Sequence, residues 1–201
     1  MMHTNKNAPT NIVTSPPAVE PVTASEVKSS ARIVDNDADD ALIQTQLIPA
    51  ARALVERLAG RSLITQTRKQ YYDDMPCSPM VLRYSPVQSV SSVVYTDTNG
   101  VSQTLSTSLY DVDTASIPGR VVVGNGDAWP VTNGTPNSVT VTYVAGYGLN
   151  SGKVPIVYRQ AIILLASHWY WNPSLCGMAD GELLTSVENL IACEGRTLEY
   201  A

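Results

Sequence analysis

Apolar residues recur every three or four positions in the first third of the chain, which is the period of an amphipathic helix. The pattern is clearest from about Asp39 to Ala59, and Gly60 follows it as a stop signal. Thr23 to Glu26 fits a capping box at the start of a shorter upstream helix. Pro49 removes one helical hydrogen bond, so we expect a kink or a break near Thr45 to Leu47.

From Ser62 the period changes to two, which is typical of strands with two different faces. Asn99-Gly100 is the clearest turn signal, because this pair tolerates the positive φ of a hairpin. Clusters of glycine and proline separate the short strands that we expect between residues 62 and 146. After the strand that begins at Ser62, these are Met80–Tyr84, Val87–Thr96, Val101–Leu105, Tyr110–Asp113, Arg120–Val123 and Ser138–Ala145.

A second long helix is expected over residues 154–172, with Pro155 in its first turn and Asn172-Pro173 as its stop. A short helix over Glu182 to Ala192 follows it. The fold class is therefore α+β: a helical bundle from the N- and C-terminal helices, with an inserted antiparallel β-sheet or small β-sandwich.

Three regions are expected along the chain. Residues 1–22 contain four prolines and form an extended N-terminal arm. Residues 23–173 form the main domain, with helices over 23–60 and 154–172 and strands over 62–146. Residues 174–201 form a C-terminal docking segment, because they retain apolar residues at helical spacing but too few to fold alone.

Composition excludes several classes of function. The formal net charge is -5 and no Lys/Arg cluster exists, which disfavours tight DNA binding. The three cysteines are scattered, which favours reduced thiols in a cytosolic setting and no structural metal. The polar N-terminus does not predict a signal peptide. The longest apolar run, Ala161 to Ala166, is too short to span a bilayer, so no membrane is expected as a partner.

Candidate chemical sites are weak. Asp73 and Asp74 are neighbours at a strand end and point apart, so they are poorly placed as an acid/base pair. Ser167 and His168 diverge by about 100° on a helix, which disfavours a nucleophile and base pair. The acidic run from Asp35 to Asp40 lacks the glycine and glutamate of a calcium loop and favours helix capping. We expect no catalytic residue, cofactor or metal ligand.

The aromatic residues at the end of the second long helix are the best candidates for a binding surface. Adjacent rings cannot all face one side of a helix, so some meet another surface, where Trp and Tyr are favoured. The alternative is an ordinary helix end in the core. The candidate interface residues, with the apolar positions of the C-terminal segment, are Tyr158, Trp169, Tyr170, Trp171, Leu183, Leu184, Val187, Leu190 and Ile191.

The order of these elements resembles a known family. It runs from DDALIQTQLIPAARALVERLAGRSLITQT through SPVQSVSSVVYTDTNGVSQTL and SVTVTYVAGYG to VPIVYRQAIILLASHWYWNP. This order is similar to that of the head–tail connector (adaptor) proteins of long-tailed bacteriophages, the gp6-like or phiE125 gp8-like family. The resemblance covers roughly residues 20–173.

The resemblance implies a structural virion protein. In that family, copies assemble side by side into a ring, usually twelvefold, beneath the portal protein. The ring continues the DNA channel and receives the next neck or tail protein, a stopper or a tail terminator. It would be assembled in the host cytoplasm, reside in the virion neck and let genomic DNA pass without tight binding.

Two other functions remain open. A hydrolase would need a convergent histidine or carboxylate pair, which the sequence does not offer. Another tail-completion or baseplate β-domain protein would lack the long helix that follows AGYG and VP.

Overall fold

A computed structural model describes residues 10–34, 39–76, 79–175 and 181–194. The chain forms two compact units. The strand unit contains the residues up to Pro16 and Gln66–Ala145, and the helical unit contains Pro17–Thr65 and the residues from Gly146 onward. Helices and antiparallel sheets are both present, which confirms the predicted α+β class.

The strand unit contains two antiparallel sheets. One has five strands in the order β1-β2-β8-β4-β5, and the other has three in the order β3-β7-β6. Their apolar residues form a single buried cluster with members from both sheets, as in a small sandwich. The strands are β1 (Thr10–Ser15), β2 (Gln66–Tyr72), β3 (Met80–Val81), β4 (Val87–Thr96), β5 (Ser102–Thr104), β6 (Tyr110–Asp113), β7 (Arg120–Val123) and β8 (Val139–Ala145).

Strand β8 is central to the larger sheet, because it pairs with β2 on one side and β4 on the other. Every second residue of β8 is buried, from Val139 to Ala145, which is the alternation expected of a strand with one face in the core. On β2 the buried residues in register with this face are polar, namely Gln66, Arg68 and Gln70. The core therefore becomes polar towards the β1 edge of the sheet.

The structure places a strand inside the segment that we expected to be an extended arm over residues 1–22. Thr10–Ser15 is extended, as expected, but it pairs with β2 of its own sheet. The prolines predicted an extended arm, but Pro9 and Pro16 only flank the strand, so the amides within it can bond to a neighbouring strand. Residues 1–9 lie outside the described part of the chain.

In the described residues, the helical unit consists of five α-helical segments and a widened turn. The buried residues of these segments share one apolar core. The helix expected over Asp39 to Ala59 is present as one continuous helical run that includes the widened turn. The helix expected over Glu182 to Ala192 extends one residue further at each end. The segments are α1 (Ala24–Ala31), α2 (Asp40–Leu42) with a π-helical turn (Ile43–Leu47) leading into α3 (Ile48–Ala59), α4 (Ile156–Trp171) and α5 (Gly181–Cys193).

The helix boundaries follow the predicted local signals. Thr23 and Glu26 form the complete capping box at the start of α1. Gly60 ends α3 in the left-handed conformation at φ 63°. The predicted irregularity near Thr45 to Leu47 is the π-helical turn. Because Pro49 has no N–H and its ring crowds the carbonyl of Thr45, a wider turn accommodates it better than a regular helix does.

Gly146 lies where the chain re-enters the helical unit after β8. Its φ is 138°, and a Cβ at this position would lie 2.6 Å from the backbone of Ile64. The approach is held by two backbone hydrogen bonds, Tyr147 N to Leu63 O at 3.2 Å and Thr65 N to Gly148 O at 3.0 Å. Only glycine satisfies both the close contact and this dihedral angle.

Replacing Gly146 with alanine is expected to destabilise the protein by about 3–5 kcal/mol, since backbone strain and overpacking add at this site. The matched control is Gly100→Ala, where φ is also positive at 80° but nothing lies within 4 Å of the new methyl group. We expect the control to cost about 1–2 kcal/mol. Urea unfolding measures both changes, and equal losses in the two variants would contradict the close-approach argument.

Candidate assembly interface

The aromatic run at the end of α4 divides between core and surface. Trp169 is 1% exposed and belongs to the core of the helical unit, whereas Trp171 is 60% exposed. Tyr170 is half-buried between these extremes. Successive residues on a helix diverge by about 100°, so a run of three rings must present at least one of them outwards. Trp171 is that ring.

Polar contacts hold the two outer rings in place. The hydroxyl of Tyr170 donates to Asp39 Oδ2 at 2.6 Å, and Trp171 Nε1 donates to the carbonyl of Ala31 at 3.4 Å. The two rings meet edge to face, with centroids 5.2 Å apart. The Asp39 carboxylate accepts this hydrogen bond, which stabilises the protonated phenol and raises the pKa of Tyr170. An ordered, exposed indole of this kind resembles the aromatic anchors of protein interfaces, because little side-chain entropy remains to be lost.

The other aromatic candidate, Tyr158, is a core residue. It is 1% exposed, and its ring centroid lies 6.1 Å from that of Tyr147. Burial is also the main reason that the pKa of Tyr147 is raised. Tyr158 and Trp169 therefore have no free surface in this conformation, which corrects the expectation that they line an interface.

The C-terminal candidates lie on α5, which packs against α3 and α4 of the same chain. Val187 and Ile191 are buried in the core of the helical unit, and the half-buried Leu183 and Leu190 pack against it. Leu184 is half-buried. The apolar stripe of the expected docking segment is thus largely covered by its own chain, because α3 and α4 together offer it a groove. Residues 176–180 and 195–201 lie outside the described part of the chain.

Ion pairs link α3 and α4 to α1 and to the segment that precedes it. Arg52 on α3 lies 2.7 Å from Glu20 and 3.3 Å from Glu56. Arg159 on α4 pairs with Glu26 and also donates to the carbonyl of Pro21 at 3.1 Å. Apart from Arg52–Glu56, which lies within α3, these contacts bridge elements that are distant in sequence, so their role is structural.

A buried polar cluster in the strand unit was missed by the sequence analysis. Asn11 on β1 donates to Gln70 Oε1 at 3.1 Å and to the hydroxyl of Tyr143 at 2.8 Å. Arg68 donates to Asn11 Oδ1 at 3.0 Å, and its guanidinium lies 3.6 Å above the ring of Tyr84. Burial raises the pKa of Tyr143 to about 12. Polar residues on the buried face of β2 were a signal that the sequence offered. Nothing in the sequence indicated that Asn11, 57 residues before Arg68, is the partner.

The carboxylates that we considered as candidate chemistry anchor loops. Asp74 Oδ1 accepts from the hydroxyl of Thr132 at 2.6 Å, and Asp73 Oδ1 accepts from the amide of Asn137 at 2.9 Å. In the described ranges, no group of three or more His, Cys, Asp or Glu residues could hold a metal ion. No helix in those ranges is long and apolar enough to cross a membrane. Residues 35–38 of the acidic run, like Cys77 and Cys176, fall outside the described ranges.

Comparison with protein families gives one match. The family model described as head completion protein matches residues 20–175, which is most of the chain. A search of curated proteins found no match.

Three solved structures with a similar fold come from gene transfer agent particles. A chain in the virion of a native gene transfer agent particle has a TM-score of 0.69 and 19% identity, covering 89% of this chain and 93% of that one. A chain in the neck of an empty particle, computed with C6 symmetry, has a TM-score of 0.62 and 21% identity over 80% and 84%. A chain in the neck of a native particle, computed with C12 symmetry, has a TM-score of 0.60 and 22% identity over 90% and 93%.

Substitution of the two tryptophans of α4 distinguishes the buried ring from the exposed one. Trp169→Ala is expected to destabilise the protein by about 3–5 kcal/mol, because it empties a fully buried site. Trp171→Ala, its matched control two residues away, should cost less than about 1 kcal/mol, since the indole is mostly in water. Thermal unfolding measures both, and a large loss from Trp171→Ala would show that this ring is a structural residue.

Proposed function

The chain belongs to the head completion protein family, and from this premise we propose that it is a head–tail connector (adaptor) of a bacteriophage or phage-like virion. The protein is a structural component of the neck, where it joins the capsid to the tail and continues the DNA channel. The proposed partners are neighbouring copies of itself, the portal protein and the next neck or tail protein, a stopper or a tail terminator.

The observation that carries this proposal is the family match over residues 20–175. It covers α1 to α4 and all the strands of the inserted segment, so it includes parts of both units. The likeness in fold to chains from particle necks supports the same role, and the C12 symmetry with which one of those necks was computed supports a ring of twelve. Oligomers built head to tail close into rings when the rotation between neighbours allows it.

Trp171 is the residue that we propose as an anchor to another chain. Its indole is exposed yet fixed by Ala31 and Tyr170, so binding would bury a large ring at little entropic cost. The C-terminal docking segment of residues 174–201 is the second proposed contact. Its helix α5 leaves Glu188 and Asn189 exposed on the side away from Val187 and Ile191, and this polar side would face a portal or a neighbouring copy.

Passage of DNA requires a channel that does not hold phosphates. The net charge of -5 agrees with this requirement. Arg68, which with Lys69 forms the adjacent basic pair on β2, is only 4% exposed and lies against Tyr84. Other cations, such as Arg52 and Arg159, are engaged with carboxylates of the same chain.

The two alternatives gain less support. A baseplate or other tail-completion β-domain would lack the long helix after AGYG, and α4 is present there with 16 residues. A hydrolase would use converging polar groups, whereas Asp73 and Asp74 are engaged in separate loop contacts. We therefore propose no catalytic activity.

The role in the neck predicts a defined assembly defect. Removing the gene from the particle-producing host should yield DNA-filled heads without tails, and a plasmid copy should restore complete particles. Trp171→Ala should reduce the yield of complete particles, and Trp171→Tyr should restore part of it. The control Val131→Ala, at a still more exposed site on the strand unit (75% against 60%), should give the same yield as the unmodified chain. Electron microscopy and infectivity or transfer titres measure the outcome. Full titres in the absence of the chain would refute the function, whereas a normal titre for Trp171→Ala alone would refute only the anchor.

Weak interaction with DNA is a second expected property. At physiological salt the purified chain should not retard duplex DNA, because its net negative charge repels phosphates. A variant with Asp111, Glu182 and Glu188 changed to lysine, all exposed positions, should bind in a salt-sensitive manner and shows that the assay can detect binding. Submicromolar binding by the unmodified chain would contradict the proposed neutral-to-acidic channel.

A further inference from the structure

Strand β1 reaches its sheet from a distant part of the chain. It belongs to the strand unit, but the chain continues from it directly into the helical unit at Pro17. The partner strand β2 begins only at Gln66. The two strands are therefore not connected by a short loop, so the chain does not hold them together as it does the strands of a hairpin.

The side-chain contacts that hold β1 against β2 are polar. All side chains of β1 are exposed except Asn11, which is half-buried. Both polar atoms of the Asn11 side-chain amide are hydrogen-bonded: Nδ2 donates to Gln70 and Tyr143, and Oδ1 accepts from Arg68. Because an amide in this position needs a specific set of donors and acceptors, Asn11 fixes the register of the strand.

Detaching such a strand exposes little apolar surface. Ile12 and Val13 are each already 43% exposed with β1 in place. A strand of the apolar core could not leave its sheet so readily, since the hydrophobic cost rises with the area exposed. The apolar cost of releasing β1 is therefore small, and an identical strand from another copy would offer β2 the same contacts.

The segment after β1 is suited to reach outwards. Glu20 and Pro21 are fixed to the helical unit through Arg52 and Arg159, so the free linker consists of residues 16–19. Its side chains are exposed or half-buried. Pro16 and Pro17 hold the chain extended, which disfavours a turn immediately after the strand. Short, stiff linkers of this kind favour the exchange of an element between copies.

We propose that in the assembled ring Thr10–Ser15 of each copy pairs with β2 of a neighbouring copy. The exchanged strand makes the same backbone ladder and the same Asn11 contacts that the structure shows within one chain. The high local concentration of neighbours in a ring favours exchange, and each exchanged strand links one copy to the next. This inference rests on the proposed ring in the neck.

Cysteine pairs across β1 and β2 test the exchange. Ile12 and Lys69 face each other in the ladder. With Cys77, Cys176 and Cys193 changed to serine, one plasmid copy carries Ile12→Cys and a second carries Lys69→Cys, and both are expressed in the deletion host. Complete particles are purified, oxidised mildly and analysed on non-reducing gels. Thr10→Cys with Tyr71→Cys, the next facing pair on the other side of Asn11, is the second pair should the first perturb folding.

Exchange predicts a covalent dimer that contains one chain of each type, and a ladder of higher multimers when a single chain carries both cysteines. The matched control places Val94→Cys and Thr104→Cys on separate chains, because this facing pair lies in the β4-β5 hairpin and should stay within one chain. If complete particles gave only monomers on the gel for both β1-β2 pairs, the exchange would be overturned and the neck role would stand. Dimers from the hairpin control would also overturn it, since they would indicate random collision. Particles that are complete but contain no chain would instead refute the neck function.

Discussion

Two backbone hydrogen bonds join the two parts of the helical unit, which are separated in the sequence by the strands of residues 66–145. Tyr147 bonds to Leu63 and Thr65 bonds to Gly148, so the chain leaves after Thr65 and returns at Gly146 beside its own point of departure. The cost of closing so long an insertion grows only slowly with its length, and the insertion contributes a core of its own. Helices from both ends of the sequence can then share one apolar core, and this core fixes the orientation of the aromatic residues at the end of α4.

Local signals were sufficient to predict most of the strands. β4, β6 and β7 have the predicted bounds, because glycine and proline clusters define their ends and alternating residues define their faces. Strand β1 was not predicted as a paired strand. Its pairing depends on Asn11 meeting Arg68 and Tyr143, and no local pattern reports a contact across 132 residues. The π-helical turn was predicted as an irregularity, since a proline within a helix is a local signal.

The candidate interface was predicted in kind but not in detail. The sequence indicates that Trp169, Tyr170 and Trp171 face different sides of a helix, but it does not state which side faces the core. That depends on where α3 and α5 pack, which is a property of the whole helical unit. The same limit applies to Val187 and Ile191: helical spacing showed that they bury a face, but the face is covered by the same chain. Arg68 shows the converse case, a charge that appears exposed on a strand until the polar side of the core is known.

The π-helical turn before α3 changes the phase of the apolar stripe along one continuous helical run. Leu47 and Ile48 are adjacent in sequence and both buried, whereas Thr45 and Gln46 are exposed. A widened turn of this type holds one residue more than a regular helix needs. Related chains that lack one residue at this point would therefore keep both halves of the stripe in contact with the same core. Sequence alignments through this helix should accordingly place a single-residue gap at Thr45 or Gln46, and a gapless alignment would pair core positions with surface positions on one side of it.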